Sequence, residues 1–246
     1  MTEPVLTASG ITKVYDGVTI IQDISLHLDR GELVCVLGVS GAGKTTLFHI
    51  LSGLTAPEAG KVMLGGEEIT GRPGRVSYML QKDLLLPHKR IIDNVALPLI
   101  LRGEKKAAAR EKASVHFQTF GLEGTQMMYP AQLSGGMRQR AALLRTYLGS
   151  EGVALLDEPF SALDALTKRE IHRWYLQVME EIQLSTLFIT HDIDEAILLS
   201  DRIYILGGKP GHMITELRIE PPRPRPDDFS LTHAFADYKR EILSYL

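Results

Sequence analysis

One stretch narrows the possible folds more than any other: "ELVCVLGVSGAGKTTLFHILSG", residues 32–53. Its first third is almost wholly apolar, the mark of a strand buried on both faces. Glycines then turn the chain, and Leu47, Ile50, Leu51 and Leu54 recur at helical spacing. The turn fits G-x-x-x-x-G-K-[ST] at Gly38, Gly43, Lys44 and Thr45, with Ser40, Gly41, Ala42 and Thr46 completing the loop. Small residues let backbone N–H groups close around phosphate oxygens. Lys44 adds positive charge for β- and γ-phosphates, and Thr45 a hydroxyl for Mg²⁺. A chance Gly-rich turn lacks both the buried strand before it and the helix after it.

The rest of the chain repeats this alternation. "ISLHL" (24–28) has the period of a half-buried strand, and "KVMLGG" and "RVSYML" are further strand-like pieces. "GVALLDEP" (152–159) and "TLFITH" (186–191) read as buried strands, "RIYIL" (202–206) as another. "ALTKREIHRWYLQVMEEI" sets Ile171, Trp174, Val178 and Ile182 on one helical face. Residues 89–150 are rich in Ala, Leu, Lys and Arg, and "GEKKAAAREKASVHFQTFGL" (103–122) reads as helix throughout. The expectation is a mainly parallel α/β sheet with a helical insertion. "PPRPRP" (221–226) reads as a stiff extended segment. There is no internal repeat.

Length and composition agree. The 246 residues suit one large domain with an inserted subdomain; 44% are hydrophobic and 23% charged, ordinary for a globular chain. The net charge of −3 offers no basic field for a nucleic acid, and none is expected as a partner. The longest apolar run, "VALPLIL" (95–101), contains Pro98 and falls well short of the roughly twenty residues a membrane helix needs. No signal peptide is read at the start. The lone Cys35 lies inside a strand pattern and reads as core packing in a reducing compartment.

Other residues carry chemistry by position. Asp157 and Glu158 end a buried strand; beside a phosphate loop in the same sheet, the first suits Mg²⁺ ligation and the second can polarise a water. His191 also ends a strand, where ligands of such sheets bind. Gln81 ends "VSYML"; it is either a hydrogen-bond partner for a water or a Mg²⁺ shell, or a plain loop residue. Tyr15 lies in a turn before Asp16-Gly17, as a base-stacking face or a core tyrosine. A second Gly-rich turn, "LSGGM" (133–137), opens the run "MRQRAALLRTYL" and makes a second anion-holding helix start about ninety residues beyond the first.

Taken in order, the phosphate loop, Gln81, "LSGGM", "LLDEP", "SALD" (161–164) and "THD" (190–192) resemble the ATP-binding cassette transporter ATPases, from Tyr15 to at least Leu206. The resemblance implies a P-loop NTPase of the α/β class: a RecA-like parallel sheet core, an N-terminal antiparallel β-subdomain and an inserted α-helical subdomain. The divisions expected are 1–88 with 151–206 as β-subdomain and core, 89–150 as helical subdomain, and 207–246 as C-terminal extension. It implies ATP and Mg²⁺ as cofactors and a head-to-tail dimer, in which Ser134, Gly135 and Gly136 hold the γ-phosphate of the ATP bound to the partner's Lys44. Carried over position by position, Tyr15 stacks on adenine, Lys44 and Thr45 bind phosphate and Mg²⁺, and Gln81 senses Mg²⁺ and contacts the membrane subunit. Asp157 supports Mg²⁺, Glu158 is the general base, His191 contacts the γ-phosphate and Asp164 bridges the two sites.

Within that family, "MYPAQLSGG" resembles importers, and "DLLLPHKRIIDNVALPLILRG", "LLDEPFSALDALTKREIHRW" and "PGHMITELRIEPPRPRP" resemble the nitrate, sulfonate and taurine import group, which also includes thiamine-precursor and riboflavin-type importers. Val39 stands where the group usually has Pro, and Met137 replaces the common Gln of the signature. The implied role is an ATPase subunit, peripheral on the cytoplasmic face of the inner membrane. It works under permease subunits fed by an extracytoplasmic solute-binding protein, with the apolar end of "QKDLLLP" (81–87) in the permease contact. An export or lipoprotein-release ATPase is the alternative. A nucleic-acid or ribosomal ATPase of the same family is disfavoured, because the gap between loop and signature holds no coiled coil and there is one cassette.

Overall fold

The computed structural model describes residues 4–161 and 165–246, without the side chains of 165–167. Among them are two sheets. The first is antiparallel and has the order β2-β1-β4-β5, from β1 (Leu6–Tyr15), β2 (Val18–Leu28), β4 (Ala59–Leu64) and β5 (Glu67–Glu68). The second has the order β10-β9-β3-β8-β7-β6, from β3 (Leu33–Gly38), β6 (Ser77–Met79), β7 (Val153–Asp157), β8 (Ser185–Thr190), β9 (Arg202–Gly207) and β10 (His212–Arg218). Its strands pair in parallel from β9 to β6, and β10 joins antiparallel at the edge.

The sequence explains the difference between the sheets. Every residue of β3, β7, β8 and β9 is buried, and they are the near-continuous apolar runs a doubly covered parallel sheet requires. β1 alternates buried and half-buried positions, because only one of its faces packs inward. That face lies over α1 (Lys44–Leu51) in a cluster holding Leu6, Ile11, Ile24, Val34, Phe48 and Leu155. The opposite face of the parallel sheet packs on the second cluster, through Leu33, Cys35, Leu156 and Phe188. Cys35 is fully buried, and burial pushes its thiol well above the usual range, so it is inert packing.

The helical segment contributes α2 (Ile91–Val95), α3 (Leu97–Leu101), α4 (Lys106–Ser114) and α5 (Gly135–Gly149). The helix expected over 103–122 stops at Ser114. Beyond it the chain makes short turns that end at Gly121, φ +62°, and bury Phe117, Phe120 and Leu122 together. One helical face cannot bury three side chains at that spacing, so burial overrides local propensity. After β7 come α6 (Ala165–Ile182) and α7 (Ile193–Leu199). On α6 the inward face carries Ile171, Tyr175, Val178 and Met179, with Trp174 and Ile182 at its rim.

The segment after β10 is not a free rod. Arg223 forms two bonds of 2.7 Å to the Asp201 carboxylate, and Arg225 donates to the carbonyls of Leu198 (2.9 Å) and Ser200 (2.8 Å). The chain ends in α8 (His233–Leu243), which packs on α7. Among the described residues no helix is long and apolar enough to cross a membrane.

Candidate functional site

Strand order builds the site. β3, β8, β7 and β6 are parallel neighbours, so their C-terminal ends lie along one edge of the sheet, the edge where such sheets bind ligands. The phosphate loop leaves β3, His191 leaves β8, Glu158 leaves β7 and Gln81 follows β6 by two residues. Four segments far apart in sequence thus converge.

A cleft of about 480 Å³ opens there, walled by Ser40, Gly43, Lys44, Thr45, Asp157 and His191 among others. Gly41 and Gly43 have φ of +83° and +88°, a region open mainly to glycine, and a side chain on Gly43 would overlap Ile21. Gly43 is also the N-cap of α1, with no side-chain cap and no acidic residue in the first turn. The helix start therefore faces the cleft with its N–H groups and positive dipole end uncompensated. Lys44 is buried and donates to the carbonyls of Gly38 (2.6 Å) and Val39 (2.9 Å). Desolvation holds its ammonium below the usual range, opposed by the charges of Glu158 and Asp157.

Asp157 is buried at the end of β7 and accepts a hydrogen bond from the Tyr78 hydroxyl at 3.1 Å. Burial raises its carboxyl above the ordinary carboxylate range, and the Tyr78 bond pulls the other way. Glu158 has φ +45°, rare for a residue with a side chain, and its N–H is tied to the Ile189 carbonyl at 3.0 Å. Strain of this kind persists where surrounding contacts hold it, and here it turns the carboxylate toward the cleft. Glu158 Oε1 lies 3.0 Å from His191 Nδ1, and Oε2 accepts from Gln81 Nε2 at 3.2 Å.

The remaining expected residues lie elsewhere. Tyr15 is exposed at the end of β1 with Lys13 Nζ 5.0 Å from its ring centre, and is not part of the cleft wall; Ile20 is. Ser134, Gly135 and Gly136 open α5 outside the cleft, where the Ser134 hydroxyl caps the helix by accepting from Met137 N–H at 3.2 Å. Asp164 lies outside the described residues. Leu84 is exposed at φ +44° while its neighbour Leu85 is buried.

Two residues were not singled out from sequence. Tyr78 reaches Asp157 only through the pairing of β6 with β7, which puts Tyr78 beside Leu155. Gly211 bridges to Ile21 and bonds Ile20 and Gln22 through its backbone, and a side chain there would overlap the Ala42 carbonyl of the phosphate loop. A glycine after a proline in "KPGH" signals a turn, but not what the turn touches.

Comparison with known proteins agrees with this geometry. The sequence profile of the family described as ABC transporter matches residues 21–161. The formylaminopyrimidine import ATP-binding protein ThiZ of Halalkalibacterium halodurans is 42% identical over 222 residues, 90% of this chain and 87% of that protein. The nitrate import ATP-binding protein NrtD of Synechocystis sp. is 34% identical over 251 residues, 98% and 94% of the two chains. A dimeric post-hydrolysis structure of the ATP-binding cassette MJ0796, bound to ADP and Pi, superposes with a TM-score of 0.74 at 28% identity, covering 88% of this chain and all of that one. A phosphate loop, paired carboxylates and a histidine on one sheet edge, with relatives matched over nearly their whole length, identify the chain as a member of the ABC transporter family, one of its ATP-hydrolysing cassettes.

Proposed function

We propose that this cassette powers import of a small solute, of the nitrate, sulfonate, taurine or thiamine-precursor kind, through partner permease subunits. The observation that carries the reading is the convergence of Lys44, Asp157, Glu158 and His191 in one cleft, in a chain resembling import proteins over almost its full length. The chain sits peripherally on the cytoplasmic face of the inner membrane, and an extracytoplasmic binding protein delivers the solute.

The chemistry follows from the residues. Lys44 and the N–H groups of the loop and the α1 start bind the β- and γ-phosphates. Glu158 orients the attacking water and takes its proton, and His191 contacts the γ-phosphate. Tyr15 stacks on the adenine. Mg²⁺ fits the donors available: Thr45 hydroxyl, Asp157 carboxylate and Gln81 amide oxygen are hard oxygens, and the buried Asp157 is short of compensating positive charge. Few protein ligands suffice for an ion that takes the rest from phosphate and water; when bound it neutralises phosphate charge. Ser134, Gly135 and Gly136 lie outside their own chain's cleft, which supports a role toward the ATP of a second, head-to-tail copy. The same arrangement gives Asp164 its bridging role. A groove of about 500 Å³ between Leu84, Leu97, Leu101 and Arg145 is the proposed permease contact.

The test is direction. In proteoliposomes reconstituted with this chain and its permease subunits, solute should move toward the face that carries this chain, and only with ATP on that face. Movement away from that face would overturn the import reading.

A further inference from the structure

A second cavity, of about 440 Å³, lies away from the nucleotide cleft, between α6, the end of α7 and the proline-rich segment. Its size suits a small organic ligand. Leu176, Leu198, Pro224 and Pro226 give it an apolar floor. Its charged lining is one-sided: Arg169, Arg173 and Arg225 against a single described acid, Asp227, which is already bonded to Arg173 at 2.8 Å; His172 lies among them. Arg225 is buried, bonds only to backbone carbonyls among the described residues, and leaves its Nε without a partner. Desolvation lowers its pKa to about 10, opposed by the charge of Asp201, and no carboxylate bonds to it among the described residues.

The cavity wall is also wired to the catalytic edge. His172 Nε2 packs 3.3 Å from Oε1 of Glu195, a buried carboxylate on α7, although neither atom has a hydrogen-bond partner among the described residues. The other oxygen, Oε2, accepts from Thr190 Oγ1 at 2.5 Å, and Thr190 immediately precedes His191. Lys168, one turn before His172, holds both Glu195 (3.6 Å) and Asp192 (2.7 Å). A ligand that shifts His172 therefore acts on the loop carrying His191.

We propose that this cavity binds a small organic monoanion with an apolar body, such as an alkyl sulfonate or carboxylate, and that its occupancy alters ATP hydrolysis through Glu195. The binding claim stands without any assignment of the nucleotide cleft; the effect on hydrolysis rests on the ATPase reading.

The probe is hexane-1-sulfonate, titrated by calorimetry onto the full chain, with hexan-1-ol as the neutral comparison. Saturable millimolar or tighter binding is expected, at least about tenfold stronger than the alcohol. The double variant Arg169→Glu, Arg173→Glu reverses the charge at the mouth and should weaken the sulfonate about tenfold or more while basal hydrolysis stays unchanged. Leu176→Trp, which fills the floor without adding charge, should weaken it too. Glu195→Gln should keep binding and abolish the sulfonate's effect on hydrolysis. No saturable binding, equal binding of the alcohol, or undiminished binding in the charge-reversed and filled variants overturns the site. An effect on hydrolysis that survives Glu195→Gln overturns the route, and binding measured separately keeps that failure distinct from an error about the nucleotide cleft.

Discussion

Gly211→Ala is a single-methyl change about 170 residues from the phosphate loop in sequence, yet it should disable nucleotide chemistry. Gly211 is clamped on both sides: its N–H donates to the Ile20 carbonyl and its carbonyl accepts from Gln22 N–H, each at 2.8 Å. The strand cannot retreat without breaking those bonds. An added Cβ would fall on the Ala42 carbonyl, more than about 1 Å inside the 3.4 Å at which ordinary contact begins. The carbonyl is backbone, so the whole loop between Val39 and Gly43 must move. Overpacking of this kind costs about 1–3 kcal/mol, and a Tm loss of about 2–4 °C per kcal/mol is expected for a chain of this length. A displacement near 1 Å in a positioning element lowers rate about 10²-fold. Phosphate release, measured well below both melting temperatures, should therefore show kcat/KM for ATP down by roughly two orders of magnitude in a folded variant. Wild-type kcat/KM, with or without a drop in Tm, would refute the argument that Gly211 sets the loop.

Two further outcomes are expected. A subunit with Lys44→Ala and another with Ser134→Arg, both carrying Glu158→Gln to stop turnover, should each fail to trap ATP as homodimers, whereas the purified mixed dimer should retain one ATP; a count of zero in a verified heterodimer sinks the trans arrangement. Tyr78→Phe removes the bond that lowers the Asp157 pKa, so the carboxyl rises further and its charge is lost at higher pH as the solution is acidified. The acid limb of the kcat/KM profile should move upward in pH and the Mg²⁺ concentration for half-maximal rate should increase; an unchanged profile would show that the hydroxyl does not tune Asp157.

What was legible from sequence is what lies close together along the chain. The loop at residues 38–46 announces itself because strand, glycines, lysine and helix are consecutive. Asp157 and Glu158 stand out because four consecutive apolar residues, Val153 to Leu156, precede them. Contacts made by strand pairing are another matter. Tyr78 meets Asp157 across 79 positions, and Gly211 meets Ala42 through a bridge between separate sheets. Neither spacing nor composition encodes such meetings. The helix read through residues 115–122 fails for a related reason: its local residues favour helix, but the core demands Phe117, Phe120 and Leu122 at once. Likewise "PPRPRP" looks stiff and inert as a string, while in the fold Arg223 and Arg225 staple the turn that follows α7.

The two oxygens of Glu158 are spoken for separately. One is held by His191, whose loop leads into α7; the other by Gln81, whose loop leads into the helical segment. The carboxylate thus behaves as a two-key lock: withdrawing either segment frees one oxygen and leaves the other restrained. α7 and the helical segment reach the carboxylate through separate contacts, because their loops enter the sheet edge on opposite sides of β7. A side chain placed between two such levers registers their coincidence rather than the motion of either one.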